Sequence, residues 1–395
     1  MREDELQVLG ISNNRKKYKM WAIIAVCLAI MVMLSWLFTT GKTGKELVMT
    51  AEGTTISPAL QDVAESLLED KLKEIDGLQG QIIVMEVGTG AIKAIVGRER
   101  KFDGCFTPCE NFGYQQELGS LAKTASLLAA LETGEVKLSD VVDTGNGVWD
   151  LGEIVMKDHN WRRGGYELVT LDRALEISSN IGISKAVREA FKGDEQGYFD
   201  KLAKMSYGKP DSVVGIIGIK PNKFISPKDS DWTSHSFLWH AIGYNRKMAP
   251  IQMLTFYNAI ANNGKMVSPT LIPGDISVIN EQIAKKENIA EIRRVLRQVV
   301  TQGLGKLAEA KTISVAGKPA TSEVNRVYGE GDSYVSEYQL AFCGYFPAEN
   351  PKFSMIISLN KLGLPASGAF AEPLFRQIAD WMCDHGMYKK EKNEK

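Results

Sequence analysis

A serine and a lysine three residues apart open an alanine- and leucine-rich stretch, Gln116-Glu-Leu-Gly-Ser-Leu-Ala-Lys-Thr-Ala-Ser-Leu-Leu-Ala-Ala-Leu-Glu-Thr-Gly134. Residues at i and i+3 share a helix face, so Lys123 is expected one turn beyond Ser120 with its amine near the hydroxyl. At the start of a helix, free backbone N–H groups and the positive dipole end favour developing negative charge. A serine hydroxyl is a weak nucleophile until a neighbour takes its proton, which a desolvated lysine can do. The chemistry suggested is acyl transfer through a serine ester.

Spacing alone does not select this pair, because Ser206-Tyr-Gly-Lys209 and Ser358-Leu-Asn-Lys361 repeat it. Lys209 precedes Pro210, which disfavours helical geometry there, and Phe353 to Leu359 reads as a buried strand whose positions three apart face opposite ways. Only Ser120 has a helix start around it. Taken alone, even that pair reads as a helix serine beside a solvated lysine. Its company changes the reading: Ser178-Ser-Asn180 supplies a Ser-x-Asn, and Ser314-Val-Ala-Gly-Lys-Pro-Ala-Thr-Ser-Glu323 places Lys318 on an expected strand.

Taken together, the three boxes resemble the signature of the penicillin-binding transpeptidase and serine β-lactamase superfamily. Four further segments resemble the class B penicillin-binding proteins. They are Gly80 to Gly97, His240 to Gln252, Asn262 to Thr270 and Phe342 to Pro351, and with the boxes they carry the resemblance from about Gly80 to His385. The resemblance implies an α/β (α+β) fold: a mostly antiparallel central sheet flanked by helices, with an all-helical lobe inserted between early and late strands and the active site between the lobes. It implies that Ser120 attacks a D-alanyl-D-alanine peptide carbonyl and Lys123 accepts its proton. Ser178 and Asn180 would relay protons and hold the substrate amide, Lys318 would attract the peptide carboxylate, and the backbone N–H groups of Ser120 and Thr321 would form the oxyanion hole. The implied partners are peptidoglycan stem peptides, β-lactam antibiotics, the membrane and other cell-wall synthesis proteins. No cofactor is implied.

The third box departs from that pattern. Relatives have Lys-Thr-Gly or Lys-Ser-Gly where this chain has Lys318-Pro319-Ala320, followed by Thr321. A carboxylate-binding hydroxyl is missing, Pro319 lacks a donor and suits only an edge strand, and Ala320 adds a methyl where substrate would pass. A lost charge-assisted hydrogen bond costs roughly 1.5 to 3 kcal/mol, so two readings stand: an active D,D-transpeptidase with weakened binding, and a degenerate transpeptidase acting as a scaffold. The literal Lys42-Thr-Gly44 lies far ahead of Ser120 and away from any expected strand, and reads as a linker.

The elements that must position these groups begin with an uncharged run, Met20 to Phe38, long enough at 1.5 Å per residue to cross a hydrocarbon core of roughly 30 Å. Arg15, Lys16, Lys17 and Lys19 precede it, which predicts a cytoplasmic N-terminus and an extracytoplasmic body on an uncleaved anchor. The expected layout is a cytoplasmic tail at 1–19, the transmembrane anchor at 20–39, a linker and helix at 40–79, the transpeptidase domain at 80–386 and a charged tail at 387–395. A pedestal domain is not expected in the short stretch between anchor and catalytic domain, so the cleft should stand near the membrane. A helix from Pro58 to Ile75, a hairpin about Val87-Gly-Thr-Gly90, a helix from Glu291 to Ala310, antiparallel strands near Ile313 to Ala316, Tyr338 to Phe346 and Phe353 to Leu359, and a final helix from Glu372 to His385 follow from periodicity.

Forty-seven basic against forty-eight acidic residues leave no excess for a nucleic-acid surface, and 44% hydrophobic content supports a large core. Of five cysteines, Cys105 and Cys109 lie in one extracytoplasmic loop, where a disulfide is the expectation and two free thiols the alternative. No His or carboxylate cluster with metal-ligand spacing accompanies them, so no metal site is expected.

Overall fold

The computed structural model describes residues 53–233, 235–328 and 334–388. The expected anchor at 20–39, the Lys42-Thr-Gly44 segment and the charged tail beyond Tyr388 lie outside the described residues. Among the described residues no helix is long and apolar enough to cross a membrane.

Helix α1 (Pro58–Glu74) starts on a proline in its first turn, where a missing N–H is harmless, and buries Leu60, Ala64, Leu68 and Leu72, one residue every fourth position. That stripe lies on strands β1 (Gly77–Glu86) and β2 (Ile92–Arg100), the expected hairpin. After a short β3 (Phe106–Pro108) the chain leaves the sheet for a long insertion. It returns as β4 (Ala316–Tyr328), β5 (Tyr334–Phe346) and β6 (Phe353–Leu362), giving a six-stranded order β4-β5-β6-β1-β2-β3 with antiparallel pairing throughout. Register is set by matched apolar residues, such as Ile83 opposite Ile356 and Phe342 opposite Ile357. A slip of one position would turn those side chains to the wrong face.

The insertion carries α2 (Ala122–Leu131), α3 (Leu171–Glu176), α4 (Asn180–Phe191), α5 (Glu195–Lys204), α6 (Ser236–Ala241), α7 (Pro250–Ala261) and α8 (Lys286–Thr301). It is not all-helical: Val141–Asp143 pairs with Leu168–Thr170, and Val148–Asp150 with Val155–Lys157. These three-residue strands are too short to show a period of two, so sequence periodicity could not find them. Every residue of α2 and α7 is buried, and α7 lies on β5 and β6. On the other face α1 and the final helix α9 (Glu372–Asp384) enclose a core with Ile82, Val84, Leu340, Phe342, Met355, Phe375 and Met382.

The cysteine expectation is corrected. Cys105 and Cys109 are free thiols. They bracket β3, and three extended residues at about 3.3 Å each hold their backbones beyond the ~7 Å limit for a disulfide.

Candidate active site

Ser120 sits in a single 3-10 turn, Gly119–Leu121, that runs directly into α2. Leu118 and Leu121 are buried on either side of it and anchor the turn, while Ser120 itself stays half-exposed. Two glycines set its distance from the sheet. Gly119 has φ +49°, and a Cβ there would fall 1.9 Å from the Ser322 Oγ on β4; a Cβ on Gly243 would fall 2.0 Å from the Gly119 carbonyl. Only glycine permits both the left-handed backbone and the close approach that bring Ser120 beside edge strand β4.

Lys123, the second residue of α2 and one turn beyond Ser120, is wholly buried. Its Nζ donates to the Ser178 carbonyl at 2.6 Å and to the Ser178 Oγ at 3.1 Å. Its hydrogen-bond partner is Ser178 and not the expected Ser120 hydroxyl, and all three side chains line the same cavity. Burial pushes the Lys123 pKa down to about 7, with Asp158 pulling it back up. In the neutral amine the two bonds to Ser178 use both N–H groups, which leaves the lone pair free to accept a proton.

Ser178 is placed by a junction between two helices. It adopts φ +54° directly after α3, its N–H donates to the Leu175 carbonyl at 3.1 Å, and the Ser179 N–H donates to the Ala174 carbonyl at 2.8 Å. That is a left-handed helix ending with both backbone bonds made, in a position where glycine is the usual residue. Ser179 then caps α4 by accepting from the Gly182 N–H. Asn180 is the first residue of α4, and its side-chain amide donates to the Lys157 carbonyl at 2.7 Å, leaving the amide oxygen as acceptor. One capping pair thus explains how a Ser-x-Asn presents two side chains to one cleft.

Sequence reasoning missed the group beneath this junction. Asp158 is 1% exposed and accepts from Ser179 Oγ at 2.7 Å, Asn180 N–H at 2.6 Å and Ile181 N–H at 3.1 Å. It lies some twenty residues upstream in an irregular loop, and no spacing rule pairs it with α4. The loop from Trp149 to Tyr166 contributes His159 to the cleft, and the His159 Nε2 lies 2.7 Å from the Tyr166 hydroxyl. The loop from Phe102 to Gln116 contributes none of the cleft-lining residues.

The cleft has a volume of about 460 Å³ and is lined by Ser120, Lys123, Ser178 and Asn180 on one wall and by Pro319, Ala320 and Thr321 of β4 on the other. Pro319 costs no ladder bond that a central strand would need, because β4 is the sheet edge. Its ring and the Ala320 methyl form part of the wall, and the cavity remains open beside them. The exposed Thr321 hydroxyl accepts from the Gly368 N–H at 2.7 Å, so its own proton is available to a ligand. Lys318 is fully buried beside the cleft, and its Nζ donates to the Pro319 carbonyl at 3.1 Å. Burial and the nearby Lys123 hold its pKa well below the usual lysine range. The structure thus gathers all six expected residues round one cavity, with Lys318 behind its wall. Among the described residues no group of three or more His, Cys, Asp or Glu has a metal-binding arrangement.

A lysine of lowered pKa, a serine at a helix start and a facing edge strand are the kinds of group that acyl transfer through a serine would use. Residues 80–380 match the penicillin binding protein transpeptidase domain, and the chain belongs to that family, on its class B branch. It is 26% identical over 373 residues to penicillin-binding protein PbpB of Mycobacterium tuberculosis, a match covering 84% of this chain and 52% of that protein. It is 23% identical over 317 residues to the peptidoglycan D,D-transpeptidase FtsI of Escherichia coli K12, covering 76% and 50%. The chain spans about half the length of the curated relatives it matches. The fold is shared with the TP domain of Burkholderia pseudomallei penicillin-binding protein 3, at a TM-score of 0.71 and 21% identity over 86% of this chain and 98% of that one.

Proposed function

We propose that this protein is a membrane-anchored peptidoglycan D,D-transpeptidase that forms an acyl-enzyme on Ser120 and is acylated there by β-lactams. The observation that carries the reading is the buried Lys123 amine, held by Ser178 and depressed to about 7, one turn from Ser120. In the reaction, Ser120 Oγ adds to the carbonyl of the penultimate D-alanine of a stem peptide while Lys123 takes the hydroxyl proton. Backbone N–H groups of Ser120 and Thr321 receive the oxyanion. The tetrahedral adduct collapses with loss of D-alanine, whose nitrogen takes a proton through Ser178. An acceptor amine then attacks the ester and restores Ser120. Asn180 holds the substrate amide, and Lys318 with the Thr321 hydroxyl attracts the terminal carboxylate. A β-lactam follows the first half of this path, its ring amide taking the place of the peptide bond.

Support for the substrate class comes from relatives named as peptidoglycan D,D-transpeptidases and penicillin-binding proteins. Support for an anchor comes from the uncharged run Met20 to Phe38 behind four basic residues. Protease accessibility of the body in spheroplasts tests that placement, and digestion only after the cytoplasmic membrane is broken would refute it. Proteins of cell-wall synthesis are the partners that fit such a location.

A second reading, a binding-only scaffold of the same fold, is favoured by one observation: Pro319 and Ala320 stand where the family's hydroxyl and glycine are expected. Incubating the full chain with a fluorescent penicillin separates the two. Labelling that vanishes in Ser120→Ala is the expected result; absence of labelling at high concentration supports the scaffold.

A further inference from the structure

The insertion encloses a charge that the acyl-transfer scheme leaves idle. Arg246 is 1% exposed, beside an exposed Lys247. Its Nη2 donates to the Tyr198 hydroxyl oxygen at 2.5 Å and to His240 Nδ1, while among the described residues its Nε and Nη1 have no hydrogen-bond partner and no carboxylate pairs with it. The rings of Tyr207, Phe224 and Tyr198 lie 5.1, 5.6 and 5.9 Å from the central carbon of the guanidinium. A buried cation without an anion costs stability, and an apolar side chain of similar volume would fill the space without that cost. Packing alone therefore does not account for an arginine here.

Its bonds lead to the Ser120 turn from both sides. Through the side chain the path enters α2. Arg246 has only protons to give, so the Tyr198 oxygen accepts and the Tyr198 proton passes to Ser126 Oγ at 2.8 Å; the Ser126 hydroxyl in turn donates at 3.2 Å to the carbonyl of Ala122, which lies between Ser120 and Lys123 in the chain. Through the backbone, residues 243–248 brace the chain just ahead of Ser120. Gln116 and Met248 exchange both backbone hydrogen bonds, at 3.1 and 3.2 Å, the Asn245 N–H donates to Glu117 Oε1 at 3.0 Å, and Gly243 abuts the Gly119 carbonyl. The same segment lends Tyr244 to the cleft wall. We propose that Arg246 is a positioning residue for Ser120: its buried guanidinium joins the segment that braces the nucleophile's turn to the helix that follows the turn, fixing both ends of it at once. The consequence for catalysis rests on the transpeptidase reading; the bracing does not.

The neighbours are fitted to a cation. His240 accepts at Nδ1, which requires a neutral ring, and burial and Arg246 both hold its pKa well below the ordinary histidine value. A lysine at this position would keep the charge without the planar fork, and a methionine would keep the volume without charge or donors. Arg246 could not be singled out in the sequence, because Asn245-Arg-Lys247 reads as a polar turn. Only the short pairing of Arg246–Lys247 with Lys223–Phe224 sends one of two adjacent cations inward and the other outward.

The test separates binding from chemistry in penicillin acylation of the full chain, comparing the wild type with Arg246→Met, Arg246→Lys and Tyr198→Phe. Time courses over a range of concentrations give the dissociation constant of the first complex and the rate constant of acylation. Arg246→Met should lower the rate constant by roughly ten- to a hundredfold with the dissociation constant within about twofold, and its melting temperature should match or exceed that of the wild type. Arg246→Lys should recover part of the lost rate. Tyr198→Phe cuts the path to Ser126 and keeps the ring; it should slow acylation in the same way and add little to Arg246→Met in the double variant, and it takes the place of Arg246→Met, with the same criteria, if the methionine variant does not fold. An unchanged rate constant, or one that falls only in step with the melting temperature, overturns the proposal. Hydrogen exchange read by mass spectrometry follows the bracing without any chemistry: the peptide spanning residues 116–123 should exchange faster in the variant, and equal exchange overturns the proposal. A wild type that is never acylated refutes the transpeptidase reading, and the exchange measurement still decides the bracing.

Discussion

The pH dependence of acylation follows directly from the environment of Lys123. An ordinary lysine titrates near 10.4 and is almost wholly protonated at pH 7; burial in α2 brings Lys123 down to about 7. Lys123 acts as a base only when neutral, so activity is lost as pH falls through that value. A group of pKa about 7 is roughly 0.09 neutral at pH 6, 0.5 at pH 7 and 0.9 at pH 8, which predicts a rise of about tenfold between pH 6 and pH 8 and then a plateau. An unperturbed lysine would instead give about a hundredfold rise over the same interval, continuing at tenfold per unit to about pH 10. The assay is the pseudo-first-order rate of labelling of the full chain by a fluorescent penicillin at limiting concentration, from about pH 5.5 to 9. A rate still climbing tenfold per unit beyond pH 8, or one that is flat below it, would refute the base assignment.

Other substitutions probe the wall, the turn and the cap. Lys123→Ala should slow acylation by roughly 10²- to 10⁴-fold without unfolding the chain, read in the same labelling assay. Pro319→Thr restores a hydroxyl and an N–H on an edge strand; a recovered hydrogen bond of roughly 1.5 to 3 kcal/mol predicts acylation faster by about one to two orders of magnitude. An unchanged rate would show that the third box does not limit binding. Gly119→Ala meets Ser322 at 1.9 Å on a backbone of φ +49°, and should lower stability by roughly 1 to 3 kcal/mol in a thermal melt, with slower acylation because Ser120 shifts. Asp158→Asn replaces an acceptor of three hydrogen bonds at the start of α4 and should cost about 1 to 3 kcal/mol in denaturant unfolding.

Much of the framework was readable because its signals are local. The spacing of Leu60, Ala64, Leu68 and Leu72 marks α1, the Gly-Thr-Gly turn marks the first hairpin, and long apolar runs mark β5 and β6. The three boxes were found by residue type and order, and a single cavity collects them. What sequence could not show depends on contacts across the chain. Asp158 stabilises the Ser179 cap from an irregular loop, and Gly119 and Gly243 close a seam that only the packed lobe creates. The Cys105–Cys109 expectation failed for a related reason: proximity in sequence says nothing about a chain that runs extended between the two thiols.

The central claim is that Ser120 becomes an ester. Intact-mass and peptide-mapping mass spectrometry of the full chain, after brief exposure to an acyl-D-alanyl-D-alanine peptide and acid quench, measures it directly. The account predicts release of D-alanine and an acyl group on the peptide containing Ser120, absent from Ser120→Ala. An acyl group on another residue, or D-alanine release that persists in Ser120→Ala, would contradict it.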